Sequence, residues 1–408
     1  MEPLFPPTQL AEVQAYHSPI YTSALVDLIV WPLLLLGTAR YLTRPFHALA
    51  SRWAKRVNVP VLNRIWKGPE WAETIFFALL FFGFFVVVNL PIDVWFGYVR
   101  EHEYGLSNES FGAFLFDGLK HQAILVVAVT SLGFGLFGAA RLTRHWWWML
   151  GITASLGLVI STAVDPYRSR LYVDQTSLPP GSLRTRLTTM LEGASIPFSD
   201  IFVVHTGAKS VRVQAAFAGT GPTRTILLSD TLLETMTEAE VVAAVAHEAG
   251  HVSESRWPGR VLSLLAVFAL MGYLEWLFRR SSQRGWFGIT VRGDVRVLPL
   301  LVLTFDLATM AVTPVSAAHS RGRELAADQF ALKLTGDGDS LVSLLVKVGR
   351  INKEDPDPPR WYVLSGVSHP TIFQRVDAIR ATQKNATPPP TSPVKAGTSE
   401  QQAPGVIR

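Results

Sequence analysis

Hydrophobic residues along this chain collect in long unbroken runs, at residues 23–42, 74–99, 123–142, 146–164, 261–278 and 297–315. Each is close to the roughly 20 residues that a helix needs to cross the hydrocarbon core of a bilayer. No water is available there to satisfy backbone N–H and C=O groups, so such runs must be helical. About six spans are expected. The second contains Pro91 and Asp93, and the fourth opens on Trp146-Trp147-Trp148, an aromatic cluster of the kind found where helices meet the headgroup layer.

The pattern changes between the fourth and fifth runs. Residues 182–192 repeat with helical period and predict an amphipathic helix, whereas 201–204, 211–213 and 225–228 predict short strands of a small sheet. After the sixth run, residues 341–380 are again helical in pattern, and the Pro-, Thr- and Ser-rich stretch 385–408 has the composition of a disordered tail. The expected division is a membrane region over 1–164, a second domain over 165–384 that includes the last two spans, and the tail.

Composition agrees with a membrane protein carrying a polar insert: 49% of the 408 residues are hydrophobic, and the mean hydropathy is +0.25. With no Lys or Arg ahead of the first run, the N-terminal stretch is unlike a cleavable signal peptide, and that run is expected to stay in the membrane. The formal charge of +5 is modest, and the basic residues sit in loops beside apolar runs, so nucleic acid is not an expected partner. The chain has no cysteine, which excludes disulfides and thiolate-ligated metal.

The chemistry concentrates in His247-Glu248-Ala249-Gly250-His251, which ends the apolar run Val241-Val242-Ala243-Ala244-Val245-Ala246. Thr237, ahead of Glu238-Ala239-Glu240, is the expected N-cap of a helix carrying the motif. Positions four apart share a helix face, so His247 and His251 offer two imidazoles to one metal ion, with Glu248 beside them to take a proton from water. A catalytic site needs a third protein ligand and an open fourth position. Glu324, in Ser320-Arg321-Gly322-Arg323-Glu324-Leu325-Ala326-Ala327-Asp328, is the candidate, and Asp328, one turn later, is placed to accept the second ring N–H of a ligating histidine. Two imidazoles and a carboxylate favour zinc, one ion per chain. Residues 213–219 are assigned to an edge strand that holds substrate as an added strand, with Gln214, Ala215 and Phe217 as contacts.

Taken together, these motifs resemble the CAAX prenyl protease 1 family of integral membrane zinc endopeptidases, over residues 74–380. The resemblance rests on the His247–His251 motif, on Glu324 with Asp328, and on Ser368-His369-Pro370 with Arg375. Leu90-Pro91-Ile92 leading to Glu101-His102-Glu103-Tyr104-Gly105 and Ser229-Asp230-Thr231-Leu232-Leu233 make it more specific. It implies a mainly α fold: a ring of membrane helices around a water-filled chamber, closed at one end by a small α+β domain of gluzincin type. It also implies zinc on His247, His251 and Glu324, Glu248 as base, His369 as a donor to the oxyanion, and a peptide or protein substrate that is membrane-associated or lipidated. Arg375 is expected to orient the His369 loop, to pair with a substrate carboxylate, or to be a plain surface arginine. Two departures stand out. Gln214-Ala215 replaces the family's Asn-Ala, and the basic stretch 43–73 stands where a further span is expected.

An intact ligand set predicts a multi-pass membrane hydrolase, a metalloendopeptidase, located in a bacterial inner membrane. The alternatives are a heat-shock-type quality-control zinc protease, which shares the chemistry, an intramembrane protease with Asp306 as third ligand, and a non-catalytic membrane scaffold. Sidedness is contested. The positive-inside rule places the basic loops at 40–67, 141–144 and 279–296 in the cytoplasm and the metal domain opposite, whereas the family resemblance implies a cytoplasmic catalytic domain.

Overall fold

A computed structural model describes residues 4–66, 68–157, 160, 174–254, 257–289 and 291–385. Among them, five helical segments are long and apolar enough to cross a membrane: Pro7–Ala54, Glu70–Glu103, Phe111–Leu142, Gly259–Arg284 and Val295–Thr335. They contain five of the six expected spans. The run at 146–164 is helical over 146–157, and most of the remainder lies outside the described residues.

The helices outrun their apolar windows because neighbouring polar turns continue the same hydrogen-bond ladder. The first starts at Pro7, where a missing N–H costs nothing, and passes through a π-turn at Thr38–Leu42 into the amphipathic helix Thr43–Ala54. Together with Pro60–Trp66, this basic stretch caps the bundle without forming a span. Phe46 and Trp53 pack edge-on against Phe77 and Phe76 of the second span, and Trp66 stacks on Phe134 of the third.

The other basic loops meet at the same end. Arg141 donates to the Gly293 carbonyl at 2.9 Å, and His47 pairs with Glu73. Gly293 adopts φ +69°, and a Cβ there would lie 2.7 Å from the Phe137 carbonyl oxygen, so only glycine closes this corner.

At the opposite end sits the small domain. Its sheet has the order β1-β2-β4-β3, with β1 Gln175–Ser177, β2 Asp200–Val204, β3 Ala215–Ala218 and β4 Thr225–Ser229. β2 and β4 run parallel, β3 pairs antiparallel with β4, and β3 is an edge. Leu187 and Leu191, one turn apart on helix Ser182–Gly193, are fully buried against this sheet with Ile201, Ile226 and Leu228. Residues 211–213 are not the regular strand expected from their Val-Arg-Val alternation. Instead the loop after the second span claims them: Val211 donates to the Leu106 carbonyl at 3.2 Å, and Arg212 forks onto the Glu101 carboxylate at 3.0 Å. Phe5 joins the core of this domain, so the N-terminal residues pack with the second domain as well as the first.

Candidate active site

The motif helix Glu238–Ser253 begins with a capping box in which Thr237 and Glu240 exchange hydrogen bonds. Glu240 is buried and also accepts from Ser343 at 2.6 Å and Lys347 at 2.9 Å. Burial alone would raise its pKa, but these donors carry it down to about 2. The helix start is thus fixed by an ionised carboxylate at every pH above the acid range. Residues Val241 to Ala246 are buried all round the helix, which places His247 at the rim of the core and the end of the helix at a cavity.

The long helix Leu298–Thr335 crosses it closely. Gly250 makes this possible: a Cβ there would fall 2.7 Å from the Ala327 Cα. A clash with backbone is relieved only by moving the helix that carries Glu324. Gly250→Ala is therefore expected to cost about 1–3 kcal/mol of stability and to weaken metal retention at least tenfold. Thermal melting and metal analysis after dialysis against a weak chelator would check it, and unchanged values in both would refute the packing argument.

Across this contact His247, His251 and Glu324 present ligand atoms within 4.8 Å of one another. His247 Nε2 lies 3.3 Å from Glu324 Oε2, and His251 Nε2 lies 3.2 Å from Oε1. Glu324 is buried, and its Oε2 has no properly aligned hydrogen bond. A buried anionic oxygen facing imidazole nitrogens is costly unless a cation or shared proton sits among them, so the donor set fits a divalent metal.

Asp328 occupies the place expected one turn beyond Glu324, fully buried, with Oδ1 2.9 Å from His247 Nδ1. It fixes the ring so that Nε2 faces the cluster. Arg375 is not a plain surface arginine, because its side chain is largely buried. Its guanidinium forks onto Asp328 at 2.7 and 2.8 Å and approaches His247 Nδ1 at 3.3 Å, which holds it behind the histidine at the wall of the cavity. Burial of His247 opposes its charging, but Asp328 and Glu324 carry its pKa up. For Glu248 burial dominates and raises the carboxyl, against the pull of the two histidines.

His369 reaches the same cluster from its loop, with Nδ1 3.2 Å from Glu324 Oε2 and most of its side chain open to the cavity. The Glu324 carboxylate pushes its pKa up against burial. Arg321 holds this loop through the carbonyls of Val363 at 3.1 Å and Val367 at 2.7 Å. Arg321 and Arg323, the latter paired with Glu254, tie neighbouring segments together, although a basic cluster in sequence reads as a solvated face.

The cavity encloses about 1100 Å³ and is walled by Gln214, Ala215 and Ala216 on one side and by His17 and Tyr21 of the first helix on another. Gln214 and Ala215 thus line the same cavity as His247, Glu248, His251 and Glu324. Phe217 does not line the cavity: side chains alternate along β3, so it shares a face with Ala215, and both pack against the hydrophobic core, whereas Gln214 and Ala216 lie on the other face. Asn352, which carries no signal in sequence, clamps the edge: it accepts from Val213 N at 2.9 Å and donates to Val213 O at 3.3 Å. The outer edge of β3 is thereby capped at Val213 and open beyond it. Asp306 is 18 residues before Glu324 on the same helix, about 27 Å along its axis, and takes no part in the cluster.

Comparison with known proteins adds an independent line. Residues 177–383 match the profile of Peptidase family M48, and residues 9–167 match the CAAX prenyl protease N-terminal region, described as five membrane helices. The chain is 28% identical over 313 residues to an uncharacterized metalloprotease, YhfN, of Bacillus subtilis, covering 74% of this chain and 72% of that protein. It is 23% identical over 368 residues to the human CAAX prenyl protease 1 homolog, covering 78% and 76%. The crystal structure of S. mikatae Ste24p superposes with a TM-score of 0.75 at 20% identity, over 93% of this chain and 90% of the other, which places the two in one fold.

Proposed function

Because the chain belongs to Peptidase family M48 and is an integral, multi-pass membrane metalloprotease, we propose that its metal is zinc, held by His247, His251 and Glu324, with Glu248 as the catalytic base. The observation that carries this reading is the donor spacing. A tetrahedral ion with bonds of about 2.0–2.1 Å would set its ligand atoms about 3.3 Å apart, and the two histidine-to-carboxylate separations are 3.3 and 3.2 Å.

Zinc, when bound, supplies Lewis acidity that makes water a nucleophile near neutral pH and polarises the scissile carbonyl. Everything else falls to the chain. The outward edge of β3 beyond Val213 takes the peptide as an added strand, with Gln214 and Ala215 against it. Glu248 accepts the proton as water attacks and returns it to the leaving amine, a task suited to a carboxyl whose proton affinity burial has raised. His369 donates to the developing oxyanion. Asp328, held by Arg375, keeps His247 in the tautomer that leaves Nε2 free to ligate.

The test is metal content and cleavage measured together on detergent-purified protein. About one zinc per chain is expected, with cleavage of a fluorogenic peptide lost on chelation and restored by zinc. Cleavage that survives complete metal removal would overturn the reading. Comparing the same peptide with and without a prenyl group tests lipid dependence, and the expected result is preferential cleavage of the membrane-partitioned form.

We further propose a sidedness, from the positions of the basic loops. Arg40, Arg44 and Arg56, Arg141 and Arg144, and Arg279, Arg280 and Arg284 all belong to the end of the bundle away from the metal cluster. By the positive-inside rule that end is cytoplasmic and the cavity opens on the other side. The cysteine-free chain makes the test direct. In intact cells, a membrane-impermeant maleimide is expected to label Glu192→Cys, whereas Arg64→Cys reacts only after lysis. The reverse pattern would put the catalytic domain in the cytoplasm.

A further inference from the structure

A second cavity, of about 620 Å³, lies at the basic end of the bundle, where the helix 146–157 begins and helix Trp257–Arg284 ends. It plays no part in the peptidase site. Among the described residues its walls include Arg144, Arg279 and Arg292, with Glu275 as the one carboxylate. Glu275 is already engaged, by Arg292 and by Trp146 Nε1 at 2.7 Å. Among the described residues neither Arg144 nor Arg279 pairs with a carboxylate: Arg144 donates to His145 Nε2 at 3.0 Å, and Arg279 is exposed. Arg292 has a buried Nε without a partner. The pocket thus holds three guanidiniums against one carboxylate, a surplus of two positive charges that an anion would neutralise.

Its surroundings say which kind of anion. Trp147 lines the pocket. Trp148, Met149 and Ile152, on the same helix, and Trp276, beside Glu275, are exposed apolar groups. Charged groups at the exits of two spans, bordered by indoles and aliphatic side chains, match the two halves of a glycerophospholipid, with phosphate in the pocket and acyl chains along the helices. We propose that this pocket binds the phosphate of an anionic phospholipid headgroup. The guanidiniums of Arg144 and Arg279 take the phosphate oxygens, and the Arg292–Glu275 pair fixes the inner wall.

The experiment is native mass spectrometry and thermal melting of the full-length, detergent-purified protein titrated with phosphatidylglycerol, phosphatidylcholine or inorganic phosphate. Phosphatidylglycerol is expected to remain bound and raise the Tm, and the other two are not. Arg144→Gln with Arg279→Gln should weaken phosphatidylglycerol about thirtyfold, from roughly 1 kcal/mol per arginine near an anionic lipid, while peptide cleavage in neutral detergent stays at its wild-type rate. Arg52→Gln with Arg56→Gln removes the same charge from the same end and should change neither. Equal stabilisation by phosphatidylcholine would overturn the proposal, as would an equal loss in the Arg52/Arg56 control, which would mean diffuse attraction. Stabilisation by inorganic phosphate at matched concentration would assign the pocket to a free anion and overturn the lipid.

Discussion

Glu248→Gln is expected to lower the rate of peptide cleavage by about a thousandfold, the size of a general-base contribution, with zinc content and melting temperature unchanged. The amide keeps the volume of the carboxylate and its place in the cavity wall beside His247 and His251, so the metal donors and their packing are not disturbed. What it loses is the capacity to accept a proton. Metal analysis and single-turnover cleavage on the same preparation separate the two properties. A glutamine variant with near-normal turnover would remove Glu248 from the mechanism and pass the proton to another cavity group. His369 would be the first to examine, because its ring reaches Glu324 from the open side. If the variant binds substrate without cutting it, it also becomes a trap for identifying natural substrates.

Much of this site was legible before any coordinates because helical periodicity converts spacing into geometry. Four residues separate His247 from His251 and Glu324 from Asp328, and each pair lands on one helix face. What spacing cannot report is contact between segments far apart in the chain. Arg375 reads as a surface residue in Gln374-Arg375-Val376-Asp377, yet it lies behind the metal ligands because helix Ile372–Asn385 packs across the long helix. Asn352 follows helix Gly338–Ile351 like any helix-ending polar residue, and only the fold brings its amide to the backbone of Val213. Val211-Arg212-Val213 shows the converse error. Its alternation has strand period, but a membrane loop competed for its hydrogen bonds and won. Five of the six expected spans were legible in position and not in length, since hydropathy marks where lipid begins and is blind to a helix that continues through water.

Glu324→Ala is expected to abolish both metal binding and cleavage. The substitution leaves His247 and His251 as the two remaining ligands, and two imidazoles on one helix face do not complete the three-ligand set that a catalytic zinc requires. The loss should be steeper than for Asp328→Ala, which keeps all three ligands and frees only the Nδ1 side of His247, an effect of about ten- to a hundredfold on affinity. Metal that binds only the native state stabilises it by mass action, so chelation should lower the melting temperature of the wild type and leave that of Glu324→Ala unmoved. The comparison isolates the metal term from any loss of packing, because each protein serves as its own reference. Stoichiometric zinc in Glu324→Ala would show that the third ligand lies elsewhere. His369, with Nδ1 3.2 Å from the same carboxylate, would then move from oxyanion donor to ligand, and His369→Ala would be the variant that loses the metal.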